Sequence, residues 1–264
     1  MRNIEKESKV FIPLLKQFCA DIAPLNLDKE FPSLFIPQTM SRYADSANKI
    51  FYFGRDTNRS YQPIDLMESY RNNNLESYIY DNHALLNEDF FLWETEARTF
   101  WLLVLNLHLR LKGINQYMDI IWEEYSNVDL ISELNDFGHG NTNAIQVKQT
   151  LQQNGVWSKI DIAKYLVVKE KSRIFDCLLH TIQAYRPDLV FIFDWSSNYQ
   201  QFLEGLEYTI EKRNVLNGYF FVINLKNYPT RIIWTIHPRS LPKGSLNKES
   251  VAINNLIDII VSQL

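Results

Sequence analysis

The sequence predicts an α/β fold of three layers, in which helices cover both faces of a mainly parallel central sheet of about four strands. Short β-prone runs end at Gly54, Phe193 and Ile236, and segments of helical periodicity separate them. The 264 residues are 46 % hydrophobic and 14 % aromatic, which is enough apolar material for a full core. We therefore expect one domain, residues 1–264, with residues 1–30 as an N-terminal helix.

The helical segments follow from apolar spacing and from the residues that end each pattern. Val10, Leu14, Phe18 and Ile22 recur at helical spacing, and Pro24 ends that run. A second segment is apolar nearly all round and precedes Gly113, which predicts a well-buried helix with a glycine cap. The predicted helices are 4–23, 88–112, 174–185, 197–213 and 249–262.

The strands are short runs rich in aromatic and β-branched residues. Asp188–Phe193 is apolar throughout, which is typical of a strand that is buried on both faces. The predicted strands are 49–53, 128–134, 188–193, 219–224 and 231–236. We expect a long polar loop with one short helix at 61–87, and a loop at Asn135–Asn141, where turn-forming residues are abundant.

Composition excludes several classes of protein. Only two cysteines are present, Cys19 and Cys177, and we interpret both as buried free thiols of a reducing compartment. No Cys/His cluster has metal-ligand spacing, so no metal or other cofactor is expected. The N-terminus lacks a signal-peptide pattern and every apolar run is too short to cross a membrane. We expect a cytoplasmic monomer without a membrane partner.

Charge is unevenly distributed along the chain. The formal net charge is −4, which does not favour generic nucleic-acid binding. Residues 226–248 nevertheless contain five basic side chains and no acidic one, whereas residues 119–136 contain six acidic side chains and no basic one. A local basic face binds phosphate even on an acidic protein. Two ordinary solvated surfaces explain the same pattern equally well.

Four polar loops follow the predicted strands. In a parallel sheet, the loops at the carboxyl ends of the strands line the ligand crevice. The four are Gly54–Ser60, Asn135–Asn141, Asp194–Asn198 and His237–Ser245. We expect the first and last to build the active cleft.

Two of these loops resemble motifs of a known family. Phe51–Asn58 is a strand followed by Gly, a polar residue and an acid in a tight loop, and Ile236–Leu241 is a strand followed by His-Pro and a loop with a Leu. Both resemble motifs of the uracil-DNA glycosylase superfamily, in which they are the first and the last. Arg186–Phe193 is similar to the buried third strand of that fold. The approach to the first strand is similar too, through Phe35–Pro37, Tyr43 and Asn48.

The resemblance implies removal of a base, uracil or a similar one, that is flipped out of DNA. The implied catalytic residues are Asp56, which would stabilise the oxocarbenium-like sugar, and His237, which would donate a hydrogen bond to the departing base. An Asn near the end of strand two would read the base edge; Asn135 is the candidate, and Asn106 is set aside because its surroundings are helical. Gly54, Arg55, Asn58 and Tyr61 complete the implied base pocket. The implied DNA contacts are Arg239, Ser240, Leu241, Lys243 and Ser245, with Leu241 wedged into the base stack.

Other interpretations stay open. Asp56 is also a common turn residue, Asn135 is also a common loop residue, and His237 before a proline is also compatible with a purely structural role. The chain departs from the family's pattern at Arg239, where Ser is usual, and at Asp194, where a small residue is common. The alternatives are a binding protein or hydrolase for a small nucleoside-like ligand, and a non-catalytic interaction protein on the same fold.

Overall fold

Strands and helices alternate along most of the chain. The computed structural model describes residues 4–27, 34–54, 66–84, 98–117, 120–121, 124–125, 133–145, 162–194, 199–241 and 246–264. The helices are α1 (Ile4–Ile22), α2 (Leu66–Arg71), α3 (Leu75–Ala84), α4 (Arg98–Leu111), α5 (Ile162–Lys171), α6 (Leu178–Tyr185), α7 (Tyr199–Phe202) and α8 (Leu246–Ser262). The strands are β1 (Gln38–Thr39), β2 (Ile50–Gly54), β3 (Ile120–Ile121), β4 (Glu124–Tyr125), β5 (Phe137–Asn141), β6 (Leu189–Phe193), β7 (Tyr208–Lys212), β8 (Phe220–Leu225) and β9 (Arg231–Thr235).

Seven of these strands form one sheet, in the order β1-β5-β2-β6-β9-β8-β7. The four central strands, β5, β2, β6 and β9, run parallel to one another. Antiparallel strands extend this centre, β1 on one side and β8 and β7 on the other. The predicted α/β class is confirmed, and the sheet is larger than the four or so strands that we expected, because antiparallel strands were added at both edges.

The sheet is covered on both faces by helices. Alternate residues of the central strands point to opposite faces. Phe51, Phe53 and Ile192 belong to a core that includes side chains of α1, α3, α5 and α6. Tyr52 and Phe191 belong to a second core on the opposite face, which includes side chains of α4 and α8. Phe11, Leu15 and Phe18 of α1 are among the buried residues, so the predicted N-terminal helix is part of the first core.

Strand β5 contradicts the loop predicted at Asn135–Asn141. Phe137 lies opposite Ile50 and Asn141 lies opposite Gly54, so β5 pairs with β2 over its whole length. A Cβ atom at Gly138 would overlap the ring of Phe51, and one at Gly140 would overlap the ring of Phe53. The glycines that suggested a loop are therefore required by the packing of aromatic rings across a buried sheet.

Three further predictions about elements were wrong in part. In place of the helix predicted at 197–213, the described residues form only the short helix α7 and then strand β7. β7 pairs with β8 as a hairpin. Gly205, with φ +78, separates α7 from β7. Residues 66–84 of the predicted polar loop form two helices, α2 and α3. Glu133 and Leu134 lie in a helical turn instead of a strand, and residues 126–132 are outside the described residues.

None of the described helices is both long enough and apolar enough to cross a bilayer.

Candidate functional site at the carboxyl edge of the sheet

The carboxyl ends of β2, β5, β6 and β9 meet at one edge of the sheet, which we call the carboxyl edge. Gly54 ends β2 and lies opposite Asn141, the last residue of β5. Asp194 directly follows β6, and His237 lies two residues beyond the end of β9. In open α/β sheets ligands bind outside the carboxyl ends of the strands. This edge therefore places an amide, a carboxylate and an imidazole where a ligand is expected.

His237 caps a short 3-10 helix, Pro238–Ser240. Its ring Nδ1 accepts a hydrogen bond from the backbone N–H of Arg239 at 3.0 Å. Its carbonyl oxygen accepts from the hydroxyl of Ser240 at 2.7 Å. Because Nδ1 is an acceptor, a neutral ring carries its proton on Nε2 and is a hydrogen-bond donor at that atom. The turn after β9 thus fixes both the position of the imidazole and the nitrogen that donates.

Asn141 brings a buried amide to the same edge. Asn141 is 5 % exposed, and its side-chain Nδ2 has no hydrogen-bond partner among the described residues. Across the strand pair, a Cβ at Gly54 would lie 3.3 Å from Oδ1 of Asn141 and 3.2 Å from Cε2 of Phe100. Glycine at 54 therefore lets Phe100 and Asn141 approach the end of β2. A buried donor without a partner costs about 1–3 kcal/mol, which marks Asn141 as a candidate ligand-binding residue.

Asp194 links the two halves of the carboxyl edge. The hydroxyl of Thr142, next to Asn141, donates to Oδ2 of Asp194 at 3.3 Å. On the other side, the indole N–H of Trp234 donates to the carbonyl oxygen of Asp194 at 3.2 Å, and the N–H of Asp194 donates to the carbonyl oxygen of Thr235 at 3.1 Å. Asp194 is 5 % exposed. These bonds set the position of Asn141 relative to His237.

The segment after Asn141 is held from several sides. The N–H of Thr142 donates to the carbonyl oxygen of Gly54 at 2.8 Å, and the N–H of Ala144 donates to Oδ1 of Asp176 at 2.6 Å. Burial raises the pKa of Asp176 to about 6, although Lys169, the Ala144 N–H and Arg173 act in the opposite direction. The Lys169 ammonium also donates to the carbonyl oxygen of Ile145 at 3.3 Å. Asn141 is therefore presented by a fixed backbone.

Two of the predicted site residues, Gly54 and His237, lie at the same edge of the sheet, with β6 between their strands. Gly54 is the last residue of β2, and His237 follows β9. Six other predicted site residues lie outside the described residues; they are Asp56, Arg55, Asn58, Tyr61, Lys243 and Ser245.

Asn135, the residue predicted to read the base, does not lie at the carboxyl edge. Asn135 precedes β5, so it lies at the opposite edge of the sheet from Gly54 and His237. Its neighbour Asp136 belongs to a structural network there, since Oδ1 of Asp136 is 2.7 Å from Nε2 of His108. Asn106, the alternative, lies within α4 and donates to the carbonyl oxygen of Leu102 at 2.7 Å.

The described part of the predicted DNA-binding loop is small. Arg239 and Ser240 are exposed, and Leu241 is half-buried against the core that includes α4 and α8. The hydroxyl of Ser240 donates its hydrogen bond inside the turn, to the carbonyl oxygen of His237. Of the basic residues in 226–248, Lys226 lies 3.5 Å from Oε2 of Glu207. Arg239 is thus an exposed basic side chain close to His237.

Sequence reasoning missed Asn141 and Thr142. The signal that identifies them is a period of two: Phe137, His139 and Asn141 alternate with Gly138 and Gly140. Such alternation indicates a strand, and a strand ending at 141 puts Asn141 at the carboxyl edge.

Comparisons with known proteins do not assign the chain to a family. No protein-family model matches the sequence, and no curated protein matches it. Among the described residues, no group of three or more His, Cys, Asp or Glu side chains is arranged to hold a metal ion.

Proposed function

We propose that this protein is a DNA base-excision glycosidase of the uracil-DNA glycosylase type, which cleaves the N-glycosidic bond of a flipped-out base such as uracil. The supporting observation is the meeting of Gly54, Asn141 and His237 at one edge of the sheet. In chain order, Gly54 and Asn141 end the first and second parallel strands and His237 follows the last one. This is the arrangement that the resemblance implies for the first motif, the base-reading Asn and the last motif.

The reaction needs charge stabilisation on both sides of the bond that breaks. The bond between the sugar C1′ and the base nitrogen breaks, and the base leaves with the electron pair. Water adds to C1′ and gives up one proton, which balances the proton that the base anion takes up, so the products are an abasic sugar and the neutral base. The Nε2–H of His237 suits the developing negative charge on a base carbonyl oxygen, because its Nδ1 is already an acceptor. By the sequence motif, Asp56 would stabilise the positive sugar and orient the water.

Asn141 takes the base-reading role that the sequence had suggested for Asn135. An amide side chain offers one donor and one acceptor, which match a neighbouring N–H and carbonyl oxygen on a base edge. The Nδ2 of Asn141 has no partner among the described residues and lies at the edge that Gly54 shares. A base that pairs with it removes the cost of the unsatisfied donor.

The test is incubation of the protein with single- and double-stranded oligonucleotides that contain uracil, followed by alkaline cleavage of abasic sites. We expect base release by the wild type, and a loss of about a hundredfold or more in Asp56→Asn, which removes a charge aimed at the sugar cation. Asp258→Asn is a matched control, because it makes the same carboxylate-to-amide change at an exposed side chain that pairs with Arg110 at the surface. A folded wild-type protein that releases no base from any of these substrates would contradict the proposal.

A second candidate is a hydrolase or binding protein for a small nucleoside-like ligand. The observation that favours it is the buried carboxylate of Asp194 at the same edge, since a carboxylate repels the phosphates of DNA. Salt distinguishes the two. Binding of DNA weakens steeply as salt rises, and Arg239→Ala reduces the slope of log affinity against log salt by about one. Binding of an uncharged small ligand does not respond to salt or to Arg239→Ala.

A further inference from the structure

A second set of unsatisfied nitrogen atoms lies inward from Asn141, on the same face of β5. His139 is 5 % exposed and its Nδ1 has no hydrogen-bond partner among the described residues. Gln38 of β1 lies directly opposite His139, is 1 % exposed, and has an unpartnered Nε2 by the same criterion. We call Gln38, His139 and Asn141 the nitrogen row.

The three side chains point to the same side of the sheet. Asn141 and His139 are two residues apart on one strand, and Gln38 is the cross-strand partner of His139. Two residues of a strand span about 6.6 Å, and cross-strand partners add about 5 Å. The nitrogen row is therefore longer than the hydrogen-bonding edge of one six-membered ring.

Aromatic rings surround the middle of the nitrogen row. The ring of His139 lies 4.8 Å from that of Trp101, 5.3 Å from that of Phe35 and 5.8 Å from that of Phe100, measured between centroids. Burial lowers the pKa of His139 to about 3, so its ring is neutral at physiological pH. A charged ligand would lose its hydration in such surroundings, whereas a planar neutral one gains contact with the rings.

We infer that the nitrogen row is an inner binding pocket for a neutral, planar heterocycle that carries carbonyl groups and is larger than a single six-membered ring, such as an oxopurine. The amide nitrogens of Gln38 and Asn141 are donors, so the ligand must offer acceptors. The length of the row favours two fused rings. The inference rests on the proposed function because Asn141 belongs to both sites. It adds to that function a size for the base, two fused rings, and a type of hydrogen-bonding group on it, the acceptor.

Phe100 lies between the carboxyl edge and the nitrogen row. Its ring lies against Gly54 at the carboxyl edge and also faces His139. At 9 % exposure it is the most exposed of the buried apolar side chains of α4. Because the ring stands between the two, we expect Phe100→Ala to accelerate binding.

The inference is tested by titrating the full chain with free hypoxanthine, adenine, uracil and cytosine, using calorimetry and side-chain amide NMR signals. Hypoxanthine should bind at least about tenfold more tightly than adenine, which replaces the carbonyl oxygen by an amino group, and more tightly than the one-ring uracil. The NMR signals of the Gln38 and Asn141 side chains should shift on binding. Absence of hypoxanthine binding, or equal binding of hypoxanthine and adenine, would overturn the inference.

Two variants distinguish a binding role from a structural one. Gln38→Met and His139→Leu remove an unsatisfied buried polar atom and change the side-chain volume little, so the free energy of unfolding should stay level or rise. Both should weaken hypoxanthine binding about tenfold or more. Unchanged binding in both would overturn the pocket, and so would a loss of stability without a loss of binding.

The outcome is separable from that of the proposed function. Hypoxanthine binding without base release from any DNA would retain the pocket and reject the glycosidase. Release of uracil from DNA by a wild-type protein that binds no free hypoxanthine would retain the glycosidase and reject the pocket.

Discussion

Gly138 lies opposite Phe51 on neighbouring parallel strands, and the ring of Phe51 occupies the space that a side chain at position 138 would need. The same relationship recurs two residues later between Gly140 and Phe53. These two pairs let large aromatic side chains of β2 cover β5. They also bring the end of β5, with Asn141, into line with the end of β2.

We expect Gly138→Ala to lower the free energy of unfolding by about 1–3 kcal/mol, because the new methyl group overlaps the ring of Phe51. Urea unfolding of the variant at neutral pH measures this difference. Phe51→Leu opens space beside position 138, so the double variant should be destabilised by less than the sum of the two single changes. Strict additivity would show that the overlap is relieved elsewhere.

The central strands could be predicted from the sequence because their signals are local. Residues 189–193 are apolar without interruption, and 231–235 carry β-branched and aromatic side chains, so each is recognisable without knowledge of its neighbours. Strand β5 could not be recognised in this way. Gly138 and Gly140 are strand residues only because of the rings that face them from β2, and single-sequence reasoning reads glycines as a loop.

The site was predicted in part for the same reason. His237 and Gly54 follow strands with clear patterns, so their meeting at one edge could be expected from the parallel sheet. The sequence offers Asn135 as the candidate for the base-reading role because the predicted strand ends at 134, whereas β5 ends at 141. Once the strand ends at 141, the residue at the carboxyl edge is Asn141. β7 was missed because its pairing with β8 overrides a weak helical pattern.

Asn141 and Asn135 form a matched pair, because they lie at opposite ends of the same strand region. If Asn141 reads the base, Asn141→Ala should reduce kcat/KM for uracil release by about a hundredfold or more. Asn135→Ala should leave that rate within about twofold of the wild type, provided both variants are compared at a temperature where they are folded. The measurement is single-turnover release from a uracil-containing oligonucleotide. A larger loss of kcat/KM in Asn135→Ala than in Asn141→Ala would instead assign the base-reading role to Asn135.

His237 should hold its proton on Nε2 in the free protein, because Nδ1 accepts from the Arg239 N–H at 3.0 Å. Nitrogen chemical shifts of the His237 ring report this tautomer directly. In base release, His237→Gln should retain more activity than His237→Ala, because a Gln amide can still donate to a base carbonyl. A protonated Nδ1, or equal loss in the two variants, would contradict a donor role for the ring.

Leu241 should matter mainly on duplex DNA. It lies just beyond the turn that carries His237 and is half-buried against the core that includes α4. A wedge holds open the stack that a flipped base has vacated, and a single strand has no such stack to reform. Leu241→Ala should therefore reduce release from a duplex by about tenfold or more, and release from a single strand much less. Equal effects on both substrates would assign Leu241 to packing of the turn.

Asp176 should make the protein less stable as pH rises from about 4 to 6. Its folded-state pKa is raised from 3.8 to about 6, chiefly by burial. A carboxyl group whose folded pKa is raised favours folding below its unfolded pKa, and this contribution is lost as pH increases through the folded value. Two pKa units correspond to about 3 kcal/mol.

Asp176→Asn isolates this contribution, because an amide oxygen can still accept from the Ala144 N–H, which lies 2.6 Å from Oδ1 of Asp176. We expect the variant to be at least as stable as the wild type at pH 7, and to lack the fall in stability between pH 4 and 6. Urea unfolding across this range measures both. Asp258→Asn is the control: its carboxylate is 60 % exposed and pairs with Arg110 at the surface, so it should keep the wild-type pH profile. A variant Asp176→Asn that is clearly less stable at pH 7 would mean that attraction to Lys169 and Arg173 outweighs the cost of burying the charge, which is opposite to the direction argued from burial.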